Sequence, residues 1–369
     1  MALRSGCARS VCFLFAAVFL IFSAGAQPQV PVASIAAAGL PERLSDLEFW
    51  RLIEEFSEPN GYFTSDNLLS NEMWMQHVIP DLIRRTQPGG AYLGVGPEQN
   101  FTYIAALRPG IAFITDIRRG NLHTQLMYKA LFELSAGRAD FVARLFTRAV
   151  PEGLDGKSSV GEIIEKLIGV ATGDEAAYKN NLQEITDLLV KKHRFPLSSE
   201  DQAGIDYVYR NFFRFGPGLN YRSSGQSLGG RGGNFATYAD LMTLTDRSGV
   251  SRSYLASDEN FKTVKDLEQN NLVIPIVGDF SGPKALRTIG NYLKQHNSTV
   301  SAFYLSNVEQ YLGSWSNFCA NVAGLPLDDK STFIRASRDV SSSYGGFSGG
   351  LASSLGDMKA ETMSCGGPK

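Results

Sequence analysis

The chain has 369 residues, 43% of them hydrophobic, with 35 Lys and Arg against 37 Asp and Glu and a formal net charge of −2. That length holds one large domain or two modest ones, and the composition is that of a soluble globular protein. There is no basic run and no basic excess, which argues against a nucleic-acid partner.

The first residues stand apart. Arg4 and Arg9 precede an apolar run from Val11 to Phe22, and Ala24-Gly25-Ala26 forms an A-x-A pattern. This reads as a secretory signal peptide cut before Gln27. The run is short for a membrane span, which needs about 20 residues. No stable membrane insertion is therefore expected once the signal is removed, and an uncleaved anchor is the alternative. Cleavage moves the formal charge from −2 to about −4. The mature chain is expected to be exported, to a periplasm or to the medium. It keeps two cysteines, Cys319 and Cys365. An oxidising compartment permits a bridge between them, but Cys365 lies in a glycine- and serine-rich tail, so a core thiol and a tail thiol is the expectation.

In chain order, a flexible leader comes first. The stretch "ERLSDLEFWRLIEEFSEP" then reads as an amphipathic helix, capped by Ser45 or Asp46, with Leu47, Trp50, Ile53 and Leu52 or Phe56 on one side. "SDNLLSNEMWMQHVIPDLIRRTQPGG" reads as a second helical region, capped by Ser65 or Asp66, broken or kinked at Pro80 and ended by Gly89-Gly90. From Gly90 the period changes. "AYLGVG" and "IAFITDI" are short buried strands around the helix-like "NFTYIAALRPG", and "NLHTQLMYKALFEL" follows as a helix. That order predicts a parallel sheet with crossover helices. Helical segments and a glycine-rich stretch interrupt it. Alternation then resumes with "NLVIPIVGDF", "GPKALRTIGNYLKQH" and "STVSAFYLSNV".

The expected organisation is a signal peptide (1–26), a leader (27–41), a first part of an α/β core (42–138), a mostly helical insertion (139–258), a second part of the core (259–339) and a disordered low-complexity tail (340–369).

Polar residues end each strand. Gly94 and Gly96 follow the first, where the lack of a Cβ permits close approach to the backbone. The third glycine of a dinucleotide fingerprint would fall at Gln99, so the motif is incomplete. Asp116 ends the second strand, about 20 residues on, where doubly wound folds place a ribose-binding acid. It can equally cap the next helix or pair with Arg118 or Arg119. Asp279 ends the third strand, and Ser306-Asn307 end the fourth. Ligands of open α/β sheets bind at those ends, so a small-molecule ligand is expected.

These residues resemble the class I S-adenosylmethionine-dependent methyltransferases and a group of uncharacterised bacterial proteins with that core. The resemblance covers roughly residues 66–339, with the insertion set aside. It implies a Rossmann-like doubly wound sheet with a large helical insertion. It also implies that Gly94, Gly96 and Glu98 cradle the methionine part of S-adenosylmethionine, that Asp116 holds the ribose, and that Gly278, Asp279 and Phe280 approach the adenine. Ser306 and Asn307, with Tyr304, would stand on the reacting side, orienting an acceptor and taking its proton. The chain departs from the family at Pro97-Glu98-Gln99, where Pro97 removes an N–H donor, and at Val308 after Asn307. The alternative is a non-catalytic exported binding protein on the same fold.

Other candidates carry less. His77, His123, His193 and His296 have no metal-ligand spacing, so no metal is expected. His123 can be a base or simply a helix-surface or core residue. Ser224 and Ser227 lie in no G-x-S-x-G elbow. "LGGRGGN", Leu228 to Asn234, can wrap an anion or be a plain loop. Asn100 and Asn297 open glycosylation sequons.

Overall fold

Continuous apolar runs, rather than alternating ones, mark strands buried on both faces. β1 (Ala91–Gly94), β2 (Ile111–Asp116) and β3 (Val273–Val277) are buried at every position. With β4 (Val300–Ser306), β5 (Thr332–Arg338) and β6 (Leu351–Asp357) they form a six-stranded sheet of order β3-β2-β1-β4-β5-β6. The first four pairings are parallel, and β6 runs antiparallel to β5. Pro275 sits inside β3, which an edge strand tolerates because one side of its ladder is free. The computed structural model describes residues 39–224, 235–338 and 351–365. The expected signal peptide, most of the leader and the Leu228–Asn234 stretch lie outside the described residues.

Helices surround this mixed α/β sheet. α1 (Asp46–Phe56) starts at a Ser45–Glu48 capping box, in which each side chain serves the other's backbone N–H. Its buried stripe is Phe49, Trp50, Leu52, Ile53 and Phe56. Leu47, expected inside, is 80% exposed, because the stripe lies one position further round. α2 (Ile79–Arg85) begins after a 3₁₀ turn and carries Pro80 in its first turn. There the missing N–H costs nothing and the fixed φ favours the helix. The proline expected to break a helix therefore starts one, and residues 57–74 are irregular.

α3 (Gln99–Leu107) joins β1 to β2, and α4 (Arg119–Leu134) follows β2. The expected insertion carries α5 (Arg138–Leu145), α6 (Val160–Gly169), α7 (Glu175–Asp187), α8 (Ser199–Phe215) and α9 (Tyr238–Thr243). Capping boxes start α6, α8 and α9. α10 (Asp258–Gln269) returns the chain to β3, and α11 (Ala285–Gln295) and α12 (Trp315–Ala323) complete the crossovers. The inserted helices share the main core: Phe132 of α4 stacks on Phe141 of α5 at 4.5 Å, and Phe261 of α10 packs on both.

The C-terminal segment corrects an expectation. Residues 351–357 form β6, and α13 (Met358–Thr362) follows. The pairing runs from Thr332↔Asp357 to Arg338↔Leu351. This places Cys365 beside α12, where it bonds Cys319 with Cα atoms 5.4 Å apart. The two thiols expected to stay separate are a disulfide, because the tail is tied to the sheet edge. Among the described residues no helix is long and apolar enough to cross a membrane.

Candidate functional site

The chain leaves β1 for β2 and β3 on one side, then returns to β4 on the other. β1 and β4 are neighbours, so the loops after them diverge and open a crevice. Crevices at such switch points are where open α/β sheets bind ligands. A cavity of about 620 Å³ lies there. Residues following β1, β2, β3 and β4 all line it, together with parts of the irregular segment 62–72. Its volume is within the range of small-molecule sites, about 300–1,000 Å³. A more open depression of about 540 Å³, on α7 and the turn after it, includes no strand-end residue.

The loop after β1 is built around Asn100. Its Nδ2 donates to the carbonyls of Pro97 at 2.8 Å and Val95 at 2.9 Å, and its Oδ1 accepts from the Tyr92 hydroxyl at 2.9 Å. A Cβ at position 94 would overlap Asn100 Oδ1, so Gly94 is required by this clamp. Gly96 has φ +77, a left-handed conformation that glycine adopts without strain. Val95, Gly96, Pro97 and Gln99 line the cavity. Gly94 and Glu98, expected to touch the ligand, stand behind its wall. Gly94 is occupied with the clamp, and Glu98 is fully buried, accepting from Ser70 N at 3.3 Å. Burial pushes the Glu98 carboxyl up to about 8. The buried Asn100 is no accessible glycan site.

The β2 and β3 ends line the cavity with acids already engaged. Asp116 Oδ1 accepts from Arg118 N at 2.9 Å, and the Arg118 guanidinium approaches the same oxygen at 3.3 Å. Its Oδ2 accepts from Arg118 Nη2 at 3.4 Å. Asp279 Oδ1 accepts from the N–H and the hydroxyl of Ser281, at 2.8 and 2.9 Å, an Asx turn. Glu58 Oε1 accepts from Lys284 N and Ala285 N at the start of α11, and its Oε2 accepts from Asp279 N. Gly278 and Phe280 line the cavity, with Phe280 edge-on to Phe303 at 5.0 Å.

The β4 end differs. Ser306, at φ +53, and Asn307 line the cavity. Glu72 lines it too, and its Oε1 accepts from the hydroxyls of both Tyr304 and Ser306. Its Oε2 is buried and has no hydrogen-bond partner. The Ser353 hydroxyl of β6 is near enough to lower the carboxyl's pKa yet makes no hydrogen bond to Oε2. Burial outweighs these hydroxyls and pushes the carboxyl up to about 7. Tyr304, expected to face the reaction, is fully buried behind Glu72 and accepts from Gln99 Nε2 at 3.0 Å. Sequence reasoning missed Glu72 by assigning its segment to a helix. The Ser/Asn/Asp content of "SDNLLSNE" was the available sign of a loop.

His123 lies outside the cavity lining. Its Nε2 bonds Asp201 Oδ1 of α8 at 2.8 Å, and Arg119 holds Asp201 through Nε and Nη2 at 2.6 and 2.9 Å. Burial lowers its pKa. It ties α4 to the insertion. Among the described residues no group of three or more His, Cys, Asp or Glu could hold a metal ion.

Residues 68–348 match a family model described as a domain of unknown function (DUF7790). The chain belongs to this family. The matched span includes Glu72 and the ends of β1, β2, β3 and β4. No curated protein matches the chain.

Proposed function

We propose that this family member is a Rossmann-like protein of the class I methyltransferase type whose cavity takes S-adenosylmethionine or a related nucleoside. Methyl transfer to a small acceptor is the reaction such a site would serve. The observation that carries the reading is the convergence of four strand ends on one cavity at the β1–β4 switch point. The strand order supports it, since β3-β2-β1-β4-β5-β6 is that of dinucleotide-binding sheets, with β6 reversed. Gly96 and Asp116 both line the cavity, which supports a nucleoside ligand. Export is part of the proposal, and the Cys319–Cys365 bridge supports an oxidising compartment.

A second reading is a non-catalytic binding protein on the same fold. The Asp116–Arg118 pair favours it, because the guanidinium takes lone pairs that ribose hydroxyls would use. Isothermal titration of the chain from Gln27 with S-adenosylmethionine and S-adenosylhomocysteine tests the first reading. Micromolar binding that Asp116→Ala weakens about tenfold supports the cofactor site. No heat from folded protein at high ligand concentration rejects it.

A further inference from the structure

Glu72 has half of its hydrogen-bonding capacity unused. Two hydroxyls hold Oε1, and Oε2 is buried without a partner. Leaving a buried carboxyl oxygen unpaired costs stability, and the cost is recovered when a ligand supplies the partner. Glu72 is one of the residues lining the cavity.

The lining is polar and aromatic, and Arg118 pairs with the Asp116 in it. Glu72, Asp116 and Asp279 line the cavity, against Arg222. Aromatic rings stand in the same lining: Phe63 is edge-on to Tyr311 at 5.1 Å, and Tyr221 stacks on Phe235 at 5.8 Å. Ring faces attract cations, and the Arg222 guanidinium already lies 4.5 Å from the centre of Phe235. A carboxyl with a spare oxygen in a cavity with an aromatic lining is a site for an organic cation.

We propose that the β4 side of the cavity binds a protonated amine, with Glu72 as its counter-ion and the aromatic lining around its carbon skeleton. The inference rests on the cavity being a small-molecule site, and it gives the class of the second ligand. The nucleoside would lie toward β2 and β3, and the amine toward β4.

Binding is coupled to a proton. The neutral carboxyl must ionise to pair with an ammonium, so its proton passes to solvent as the ion pair forms. The hydroxyls facing Glu72 are those of Tyr304 and Ser306 on β4 and Ser353 on β6, and the Tyr92 and Tyr103 phenols lie near it. Burial raises the phenols, which stay neutral. Glu98, the other carboxyl in range, needs its own control.

Phenethylamine and its neutral isostere 2-phenylethanol are the probes, titrated into wild type, Glu72→Gln and Glu98→Gln in buffers of different ionisation enthalpy. The amine is expected to bind wild type and Glu98→Gln at least about tenfold more tightly than the alcohol, and Glu72→Gln to erase the difference. At about pH 6 the wild type should release close to one proton per amine bound, and Glu72→Gln none. S-adenosylhomocysteine titrated into each variant reports the other half of the site. The proposal is overturned if the alcohol binds as well as the amine, if Glu72→Gln keeps the preference, or if the nucleoside binds while the amine does not. Failure of both ligands rejects the small-molecule site itself. The buffer dependence in wild type requires no variant to fold.

Discussion

The two sides of the cavity treat their carboxylates differently. Toward β2 and β3, Asp116 is held by Arg118 and Asp279 by its own turn with Ser281. Toward β4, Glu72 has one oxygen doubly hydrogen-bonded and the other unpaired. An acid anchored by its own neighbours is rigid, and it must share its lone pairs with any ligand. An acid left half-satisfied is costly in the empty protein and gains most from a partner. The first side is thus built to orient, and the second to capture.

The largest expected effect comes from the wall both sides share. Gly94→Ala would drive a methyl group into Asn100 and the Tyr92 ring, neither of which has room to move. Overpacking of this kind costs about 1–3 kcal/mol, and the upper end is expected because the Asn100 clamp is lost with it. Thermal or denaturant unfolding would register the loss, and both ligands should bind less well. If both bind normally, the clamp does not shape the cavity.

The next effect separates the sides by pH. Glu72 is raised from 4.5 to about 7 by burial. The folded state therefore holds its proton where the unfolded chain has released it. Stability from this group is full below about pH 4.5 and is lost as pH rises through about 7. A shift of that size corresponds to a decline on the order of 3 kcal/mol. Glu98 and Glu268, each raised to about 8, extend the decline upward. Glu133 opposes it from below: burial raises it, but His193 and Lys129 outweigh burial and lower it to about 2, so its contribution fades as pH falls from about 4.5 toward that value. Unfolding midpoints measured across this range should peak on the acid side of neutrality, and Glu72→Gln should flatten the decline toward pH 7. An unchanged slope would mean that Glu72 is hydrated in solution.

The same contrast explains what could be read from the sequence. The strands were legible, because β1 to β3 are unbroken apolar runs, and the residues at or just after their ends line the crevice. Glu72 was not, because the wall it belongs to has no period. Pro80 was misread because its cost depends on its position in the helix, which only the 3₁₀ turn before it reveals. Gly94 and Gly96 look alike in sequence, yet one makes room for Asn100 and the other supplies a positive φ. β6 was missed because glycine- and serine-rich residues 351–357 gain their structure from pairing with β5. The Cys319–Cys365 bridge depends on that same long-range contact.

A smaller effect tests the β2 side. Asp116→Ala removes the carboxylate but leaves Arg118 Nη1 donating to Asp66 O at 2.5 Å, so the fold should survive. Nucleoside affinity is expected to fall by about tenfold, near 1.4 kcal/mol, with amine binding unchanged. Equal losses for both ligands would show that the sides are not independent.

The smallest effect frees part of an acid on the β3 side. Ser281→Ala removes the hydroxyl bond to Asp279 Oδ1 and keeps the backbone bond, so the Asx turn should persist. The expected cost is about 0.5–1.5 kcal/mol, the net value of one hydrogen bond. Asp279 Oδ1 would then keep only the bond from Ser281 N, while Oδ2, which neither Ser281 group reaches, is unchanged. If an unsatisfied acid is what captures a cation, Ser281→Ala should raise phenethylamine affinity slightly in the Glu72→Gln background. If the aromatic lining and the burial of Glu72 are what count, the added carboxylate capacity at Asp279 will leave that background silent, and capture belongs to the β4 side alone.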